Sequence, residues 1–255
     1  MIRLKSGTSC NIDAVKPFEL LGQTDSADGA VLKLVRRDDE YLILADGKPL
    51  MSSRMHGSEE ALATAACRNA QKLKHPHVLI GGLGMGFTLR AALEILPSQA
   101  SVVVVELVPA VVEWNRGPLG ELAGYPLHDK RVRVETNDVA ATLRSCRNHF
   151  DAVMLDVDNG PAAFTASNNA ALYDDAGIAT AFRALKGDGV LAVWSAREDK
   201  TFERRLRQAG FAVKVEKAGA RAKGGGSRHT IFLATKSATE STRMARSVCS
   251  NGRLK

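Results

Sequence analysis

The feature that most constrains the fold of this chain is the glycine-rich segment Gly81-Gly82-Leu83-Gly84-Met85-Gly86. It lies between a strand-like apolar run and a segment whose apolar residues have helical spacing. The run HVLIGG at its start is typical of a buried strand, and FTLRAALEIL after it has the apolar spacing of a helix. Glycines at a strand-to-helix turn let the backbone bend sharply and approach a ligand closely. The four glycines Gly81, Gly82, Gly84 and Gly86 therefore predict a ligand-binding loop, although a plain tight turn has the same pattern.

The rest of the chain after His75 alternates strand-like and helix-like segments. Apolar runs such as SVVVVEL, DAVMLD and VLAVWSA are separated by amphipathic helical patterns. This alternation predicts a mainly parallel sheet with helices on both faces. A glycine-rich connection joins the last two apolar runs, FAVKVEKA and HTIFLAT, which therefore predict an antiparallel hairpin. We predict an α/β, Rossmann-like fold with a mainly parallel seven-stranded sheet and an antiparallel C-terminal hairpin.

The N-terminal part has a different pattern. The runs VLKLV and YLIL flank the polar segment RRDDE and predict a small β-hairpin, followed by a turn at Asp46-Gly47. A helix is predicted to begin near Ser58, with this serine as its cap. We therefore divide the chain into a small N-terminal β region (1–57), a Rossmann-like nucleoside-binding domain (58–236) and a disordered tail (237–255).

Composition limits the compartment and the partners of the chain. Its 255 residues contain no apolar run approaching the roughly 20 residues that span a bilayer, and the N-terminus lacks the apolar core of a signal peptide. We therefore expect a cytoplasmic protein without membrane contact. The four cysteines lack metal-ligand spacing, so no metal is expected. The net charge of +7 arises largely from a basic helix and the C-terminal tail, which leaves nucleic-acid binding as a secondary hypothesis.

Polar side chains stand where four successive predicted strands or their connections end. Glu106 follows the glycine loop by about 20 residues, where an acid can accept hydrogen bonds from both ribose hydroxyls of an adenosine. Asn137 and Asp138 follow RVRVET, where a carboxylate can reach the adenine amino group, and Asp156 ends DAVMLD. Ligands of open parallel sheets bind outside the carboxyl ends of the strands. The loop and these residues therefore predict a nucleoside-binding site.

The motifs GGLGMG, VVVVELVPAVVEWNR, DKRVRVETNDVAATL, DAVMLDVDNGP and ALKGDGVLAVW resemble the successive motifs of spermidine synthases. Those proteins are aminopropyltransferases with the class I methyltransferase fold, and the resemblance covers roughly residues 30–235. It implies that the four glycines hold the amino-acid part of S-adenosylmethionine or its decarboxylated form, without a metal. It also implies that Glu106 binds the ribose, that Asp138 binds the adenine, and that Asp156 is the catalytic base. We further expect a homodimer.

The acceptor side departs from that family. Asn159 stands where spermidine synthases usually carry a second aspartate, and Asp158 is the neighbouring carboxylate. Arg54 and His56 lie where the family has residues that hold polyamine nitrogens, and positive side chains there would repel a polycation. Trp194 ends the fifth strand of the predicted sheet and is a further candidate for substrate contact. These residues argue against a polyamine acceptor.

The sequence therefore predicts a spermidine synthase-like transferase that moves an alkyl group from a sulfonium nucleoside to a small nucleophile. Methyl and aminopropyl transfer differ only in which sulfonium carbon is attacked, so the cofactor motifs do not separate them. Two alternatives stay open: a methyltransferase acting on a small molecule or on RNA, and a nucleoside-binding protein without catalytic activity. A nicotinamide dehydrogenase is the least favoured reading, since nothing after Glu106 resembles a hydride-transfer site.

Overall fold

The computed structural model describes residues 16–26, 29–157, 161, 170–221 and 226–238. Two predicted substrate residues, Asp158 and Asn159, lie outside these ranges, as does all but the start of the predicted tail. The division of the chain at residues 57 and 236 stays a prediction. Among the described helices, none combines the length and apolar character that crossing a membrane requires.

The N-terminal part forms a four-stranded antiparallel sheet in the order β1-β2-β3-β4 rather than a single hairpin. Its strands are β1 (Glu19–Asp25), β2 (Val31–Arg37), β3 (Glu40–Ala45) and β4 (Lys48–Ser52). The predicted hairpin corresponds to β2 and β3, and the predicted turn at Asp46-Gly47 connects β3 to β4 with positive φ at both residues. The strand β1 escaped prediction because its apolar residues are adjacent rather than alternating, and Leu20 is 55% exposed.

The second sheet has seven strands in the order β10-β11-β9-β8-β5-β6-β7. Its strands are β5 (His77–Gly81), β6 (Ser101–Glu106), β7 (Val132–Thr136), β8 (Phe150–Leu155), β9 (Leu185–Ser195), β10 (Phe211–Gly219) and β11 (Arg228–Lys236). All neighbouring pairs from β7 to β9 are parallel, whereas β11 is antiparallel to both β9 and β10. The predicted Rossmann-like fold of class I methyltransferases, including its C-terminal hairpin, is thus confirmed.

Helices cover both faces of this sheet. They are α1 (Gly57–Ala66), α2 (Phe87–Ile95), α3 (Pro109–Arg116), α4 (Val139–Ser145), α5 (Ala170–Tyr173), α6 (Asp175–Ala184) and α7 (Lys200–Gln208). One buried cluster joins α1, α2 and α3 to the sheet, and a second joins α4, α6 and α7 to its other face. In β5 the side chains alternate between them, because Val78 and Ile80 belong to the first cluster and Leu79 to the second.

The strand order changes direction at β5, so that later strands are added on the opposite side of this strand. It runs from β5 to β6 and β7 on one side and then returns through α4 to β8 on the other side. The ends of these strands stay joined beyond the sheet: Asp156 N donates to Gly81 O, and Gly82 N donates to Val105 O, each at 2.9 Å. Such a switch point is where open α/β sheets bind ligands. The fold therefore brings the predicted site residues of β5, β6 and β8 to one edge.

The helix α1 begins one residue earlier than predicted, and its cap is His56 rather than Ser58. Ser58 is fully buried in the first turn, and its hydroxyl donates to Glu59 Oε2 at 2.6 Å instead of capping a backbone group. The prediction was wrong because a buried serine in the first turn has the same sequence pattern as an N-cap serine. The correction places Ser58 and Glu59 at the end of the sheet that carries the glycine loop.

Candidate active site

The glycine loop follows β5, whose last residue is Gly81, and leads into α2. At Gly82 the backbone has φ +89°, and a Cβ atom there would lie 2.2 Å from the carbonyl oxygen of Asp156. Gly86 is the N-cap of α2 in the left-handed region, with φ +83°. These two positions require glycine, the first because β8 approaches so closely and both because of their φ values. Gly84 lies between them and lines a cleft.

Glu106 is the last residue of β6, and its side chain is hydrogen-bonded to the glycine loop. Its side chain is 8% exposed, and Oε2 accepts a hydrogen bond from Leu83 N at 2.8 Å. The other carboxylate oxygen accepts from Val108 N at 2.9 Å. Asn115, in α3, supports the same loop because its Nδ2 donates to Gly84 O at 2.8 Å. Glu106 was predicted from the sequence, whereas Asn115 was missed because nothing in the helix pattern distinguishes it from a core residue.

The two residues after β7 have different environments. Asn137 follows the strand end closely, since its backbone N donates to Glu106 O at 3.1 Å. Asp138 is the N-cap of α4, and its Oδ1 accepts from Ala140 N at 2.8 Å. The carboxylate is exposed and its Oδ2 lies 3.7 Å from Arg144. A capping role accounts for Asp138 structurally, and its predicted contact with adenine stays a prediction.

Asp156 follows β8 and faces the start of α2. Its Oδ2 accepts a hydrogen bond from Thr88 Oγ1 at 2.5 Å. Burial raises the pKa of Asp156 to about 6, and the hydrogen bond from Thr88 acts in the opposite direction. A carboxyl group with this pKa is ionised at neutral pH and is still basic enough to take a proton from a bound acid. Thr88 was not predicted, since a threonine in a first helical turn carries no signal of such a contact.

A cleft that is partly open to solvent lies between the glycine loop, α1 and β4. It is lined by Met51, Ser52, Glu59, Leu83, Gly84, Met85, Phe87, Thr88 and Asp156. Glu59 was not predicted from the sequence, because acidic residues are common in the first turn of any helix. Burial first, and then the charge of Asp156, raise the pKa of Glu59 to about 7. The cleft therefore holds two carboxyl groups that influence each other's ionisation.

The two basic residues near this cleft do not make it positive. Arg54 is 65% exposed, with its guanidinium 3.6 Å from Glu40 Oε2. His56 stacks on Phe87 with ring centroids 4.1 Å apart, and its Nδ1 lies 2.9 Å from Glu60 Oε1. The argument that these residues repel a polycation is therefore incomplete, because each has an acidic partner. Sequence order alone could not show which charges face the cleft.

Trp194 lies outside the lining of the cleft. Its ring packs edge-on against His229 with centroids 4.7 Å apart. Its predicted contact with substrate stays a prediction. Over the part of the chain that the structure describes, no group of three or more His, Cys, Asp and Glu side chains could hold a metal ion.

Comparisons with known proteins agree with this geometry. A family model described as the spermine/spermidine synthase domain matches residues 55–214. The polyamine aminopropyltransferase of Mycobacterium tuberculosis (strain CDC 1551 / Oshkosh) is 29% identical over 203 residues, which are 76% of this chain and 37% of that protein. The one of Bacillus subtilis (strain 168) is 34% identical over 121 residues, 46% of this chain and 41% of that protein. The chain thus spans only 37% and 41% of the length of these curated relatives.

Solved structures share the fold. The crystal structure of spermidine synthase from Thermotoga maritima superposes with a TM-score of 0.66 at 20% identity, covering 85% of this chain and 72% of that chain. A spermidine synthase in complex with the transition state analogue AdoDATO has a TM-score of 0.65 at 20% identity, with the same coverage. At this identity the likeness supports the fold alone. Because the family model matches residues 55–214, more than half of the sequence, the chain belongs to the spermine/spermidine synthase family.

Proposed function

We propose that this protein transfers an aminopropyl group from decarboxylated S-adenosylmethionine to a small amine. The observation that carries the proposal is the pair of carboxyl groups, Glu59 and Asp156, in one cleft beside the glycine loop. A site that binds ammonium groups needs negative charge, and two acids supply it. Membership of the family and relatives that are polyamine aminopropyltransferases support the same activity.

The donor half of the site consists of the glycine loop and Glu106. The loop passes so close to β8 that no side chain fits at Gly82, and Gly84, further along the loop, lines the cleft in which we place the donor. Glu106 is held rigidly beside the loop by two backbone N–H groups. A carboxylate in that place would accept hydrogen bonds from the two ribose hydroxyls of a nucleoside. The buried acid and the glycine cradle therefore suit an adenosine-type donor.

The acidity of the cleft favours the decarboxylated donor over intact S-adenosylmethionine. The intact donor carries a carboxylate next to its amino group, and this carboxylate would face Glu59 and Asp156. Like charges in a partly dehydrated cleft repel, which discriminates against that donor. The decarboxylated donor presents only its ammonium group there, which the same two acids attract. This difference supports aminopropyl rather than methyl transfer.

Asp156 supplies the base that the reaction needs. An ammonium group has no lone pair and cannot attack carbon, so the acceptor must lose a proton first. Asp156, with a pKa near 6, takes this proton and holds the amine in position for attack on the carbon next to the sulfonium sulfur. The positive sulfur is already a good leaving group, so positioning and proton removal are the contributions required of the protein.

The alternative of an RNA-directed methyltransferase receives no support from the basic helix α7. Arg205 lies 3.6 Å from Asp175, and Arg207 donates to Glu203 at 2.9 Å. These pairs reduce the positive field that a phosphate backbone would require. A turnover assay distinguishes the other alternative, an inactive nucleoside-binding protein, from an enzyme.

The test combines calorimetry with a turnover assay. We expect the protein to bind decarboxylated S-adenosylmethionine more tightly than the intact form, and to convert it with putrescine into methylthioadenosine and an aminopropylated amine detected by mass spectrometry. Asp156→Asn should lower turnover by roughly 100-fold or more while changing donor affinity by less than about threefold. The matched control Asp39→Asn, in an exposed turn, should behave like the native protein. Amine methylation from the intact donor, with no reaction of the decarboxylated one, would refute the proposal.

A further inference from the structure

The proposed transfer leaves one proton in the cleft at every turnover. The acceptor enters as an ammonium ion, gives one proton to a carboxylate, and attacks carbon with the freed electron pair. The carbon–sulfur bond breaks, its electrons go to sulfur, and the sulfonium becomes a neutral thioether. The product amine leaves as a secondary ammonium ion, so charge balance requires that the first proton stays behind. That proton must leave before the next cycle can begin.

A hydrogen-bonded chain leads away from the cleft at Glu59. The hydroxyl of Ser58 donates to Glu59 Oε2 at 2.6 Å, and the Oγ atom of Ser58 lies 2.9 Å from Nδ1 of His229. Glu59 lines the cleft, Ser58 is fully buried, and His229 is half-buried at the start of β11. The chain therefore connects the cleft to a residue that reaches solvent, and it joins α1 to the sheet.

We propose that Glu59, Ser58 and His229 form a relay that carries the released proton out of the cleft. While the released proton is on Glu59, this residue donates to the Ser58 oxygen, and the Ser58 hydroxyl donates to Nδ1 of neutral His229. Shifting both protons along the chain turns His229 into imidazolium and Glu59 into carboxylate. The imidazolium ring then turns about its Cβ–Cγ bond, loses its Nδ1 proton to solvent and turns back with Nε2 still protonated. Rotation of the Ser58 hydroxyl towards Nδ1 completes the return to the starting arrangement. Ser58 and His229 act through Glu59 and touch no substrate.

Glu59 and His229, the two ends of the relay, both have shifted pKa values. Burial first, and then the charges of Asp156 and Glu60, raise the pKa of Glu59, so this carboxyl group can hold a proton in the cleft. Burial lowers the pKa of His229, which disfavours the imidazolium form, so the ring gives up a proton readily once it has accepted one. Glu60 itself contacts His56 and Arg90.

The competing explanation is purely structural: the contact of Ser58 with His229 only stabilises the packing of α1 against β11. The experiment separates these two roles in the 255-residue chain, with methylthioadenosine release as the assay. We compare Ser58→Ala and His229→Ala with Ser195→Ala, which removes another fully buried serine hydroxyl that donates to a backbone oxygen, Arg197 O. Each relay variant should lower kcat by about tenfold or more at pH 7, with donor affinity unchanged and a larger solvent isotope effect, because proton export becomes limiting.

Imidazole in the buffer provides the decisive readout. It should restore the kcat of His229→Ala in proportion to its concentration, by replacing the missing ring beside Ser58. It should leave Ser58→Ala unchanged, because the link to Glu59 is broken there. Should Ser58→Ala fail to fold, His229→Ala and His229→Gln carry the test with the same rescue.

The inference rests on the proposed function, and the outcomes separate the two. Native turnover with both relay variants and their isotope effects unchanged would overturn the relay alone. A slow His229→Ala that imidazole does not restore would also overturn it and assign the chain a structural role. Absence of native turnover with any amine would overturn both proposals together.

Discussion

The hydroxyl of Thr88 donates to Oδ2 of Asp156 at 2.5 Å and opposes the effect that burial has on this carboxyl group. Burial alone disfavours the carboxylate, whereas a hydrogen bond donated to it stabilises the charged form. The pair therefore joins α2 to the end of β8 and sets how much of Asp156 is ionised near pH 6.

Thr88→Val should move the acid limb of the pH–rate profile to higher pH. The valine has a similar shape but cannot donate, so the pKa of Asp156 rises further above its ordinary value. We expect kcat/KM at pH 6 to fall by roughly three- to tenfold and the plateau above pH 8 to change little. Thr180→Val, at a threonine that donates to a helix carbonyl in α6, is the control. An unmoved limb would show that Asp156 is not the titrating base.

Gly82→Ala should abolish donor binding, and Gly29→Ala should not. Gly82 and Gly29 have nearly the same positive φ, +89° and +87°. Each alanine should therefore lower the free energy of unfolding by about 1–2 kcal/mol, because L-residues are strained in this backbone conformation. Only at Gly82 would the added Cβ meet backbone, at 2.2 Å from Asp156 O, whereas nothing lies within 4 Å at Gly29. Calorimetry with the decarboxylated donor and urea unfolding separate the two contributions. Equal effects of the two variants would show that the close approach is unimportant.

Glu59→Gln should stabilise the protein above pH 7 and leave its stability unchanged below about pH 4. The pKa of Glu59 is raised from 4.5 to about 7 in the folded state. The native chain therefore loses stability as the pH rises through this window, because ionised Glu59 is disfavoured in the cleft. The glutamine accepts the same Ser58 hydrogen bond without titrating. Urea unfolding at pH 8 should show a gain on the order of 1–3 kcal/mol; equal stabilities at both pH values would contradict the raised pKa.

Glu106→Ala should weaken donor binding by roughly 1–3 kcal/mol, because a buried hydrogen-bonding carboxylate is lost. It should also loosen the glycine loop, since Leu83 N and Val108 N lose their acceptor. Glu106→Gln keeps an acceptor oxygen and is expected to weaken binding less. Glu121→Ala, at an exposed position, provides the comparison. Calorimetry with methylthioadenosine, which lacks the transferred group, isolates the nucleoside contact; unchanged affinity would remove Glu106 from the donor site.

The strand-end residues could be predicted because they depend on local pattern and on one topological rule. The loop at Gly81 to Gly86 and the acid at Glu106 stand at regular places after apolar strands, and parallel strands align their carboxyl ends. Topology then brings Asp156 beside Gly81 without any further information from the sequence. This reasoning does not extend to Arg54 and His56, because both lie between β4 and α1 rather than at the end of a parallel strand, and their contact with substrate stays a prediction.

The sequence by itself therefore determined the class of fold, the seven-stranded sheet and the candidate residues at its strand ends, since each follows from periodicity and strand order. Only the tertiary structure decided which side chains meet in and beside the cleft. Glu59 lies on α1, Thr88 on α2, Asp156 after β8 and His229 on β11, and these elements meet through packing across the sheet. Burial and neighbouring charge then set the pKa of each acid, and both depend on three-dimensional surroundings rather than on residue type.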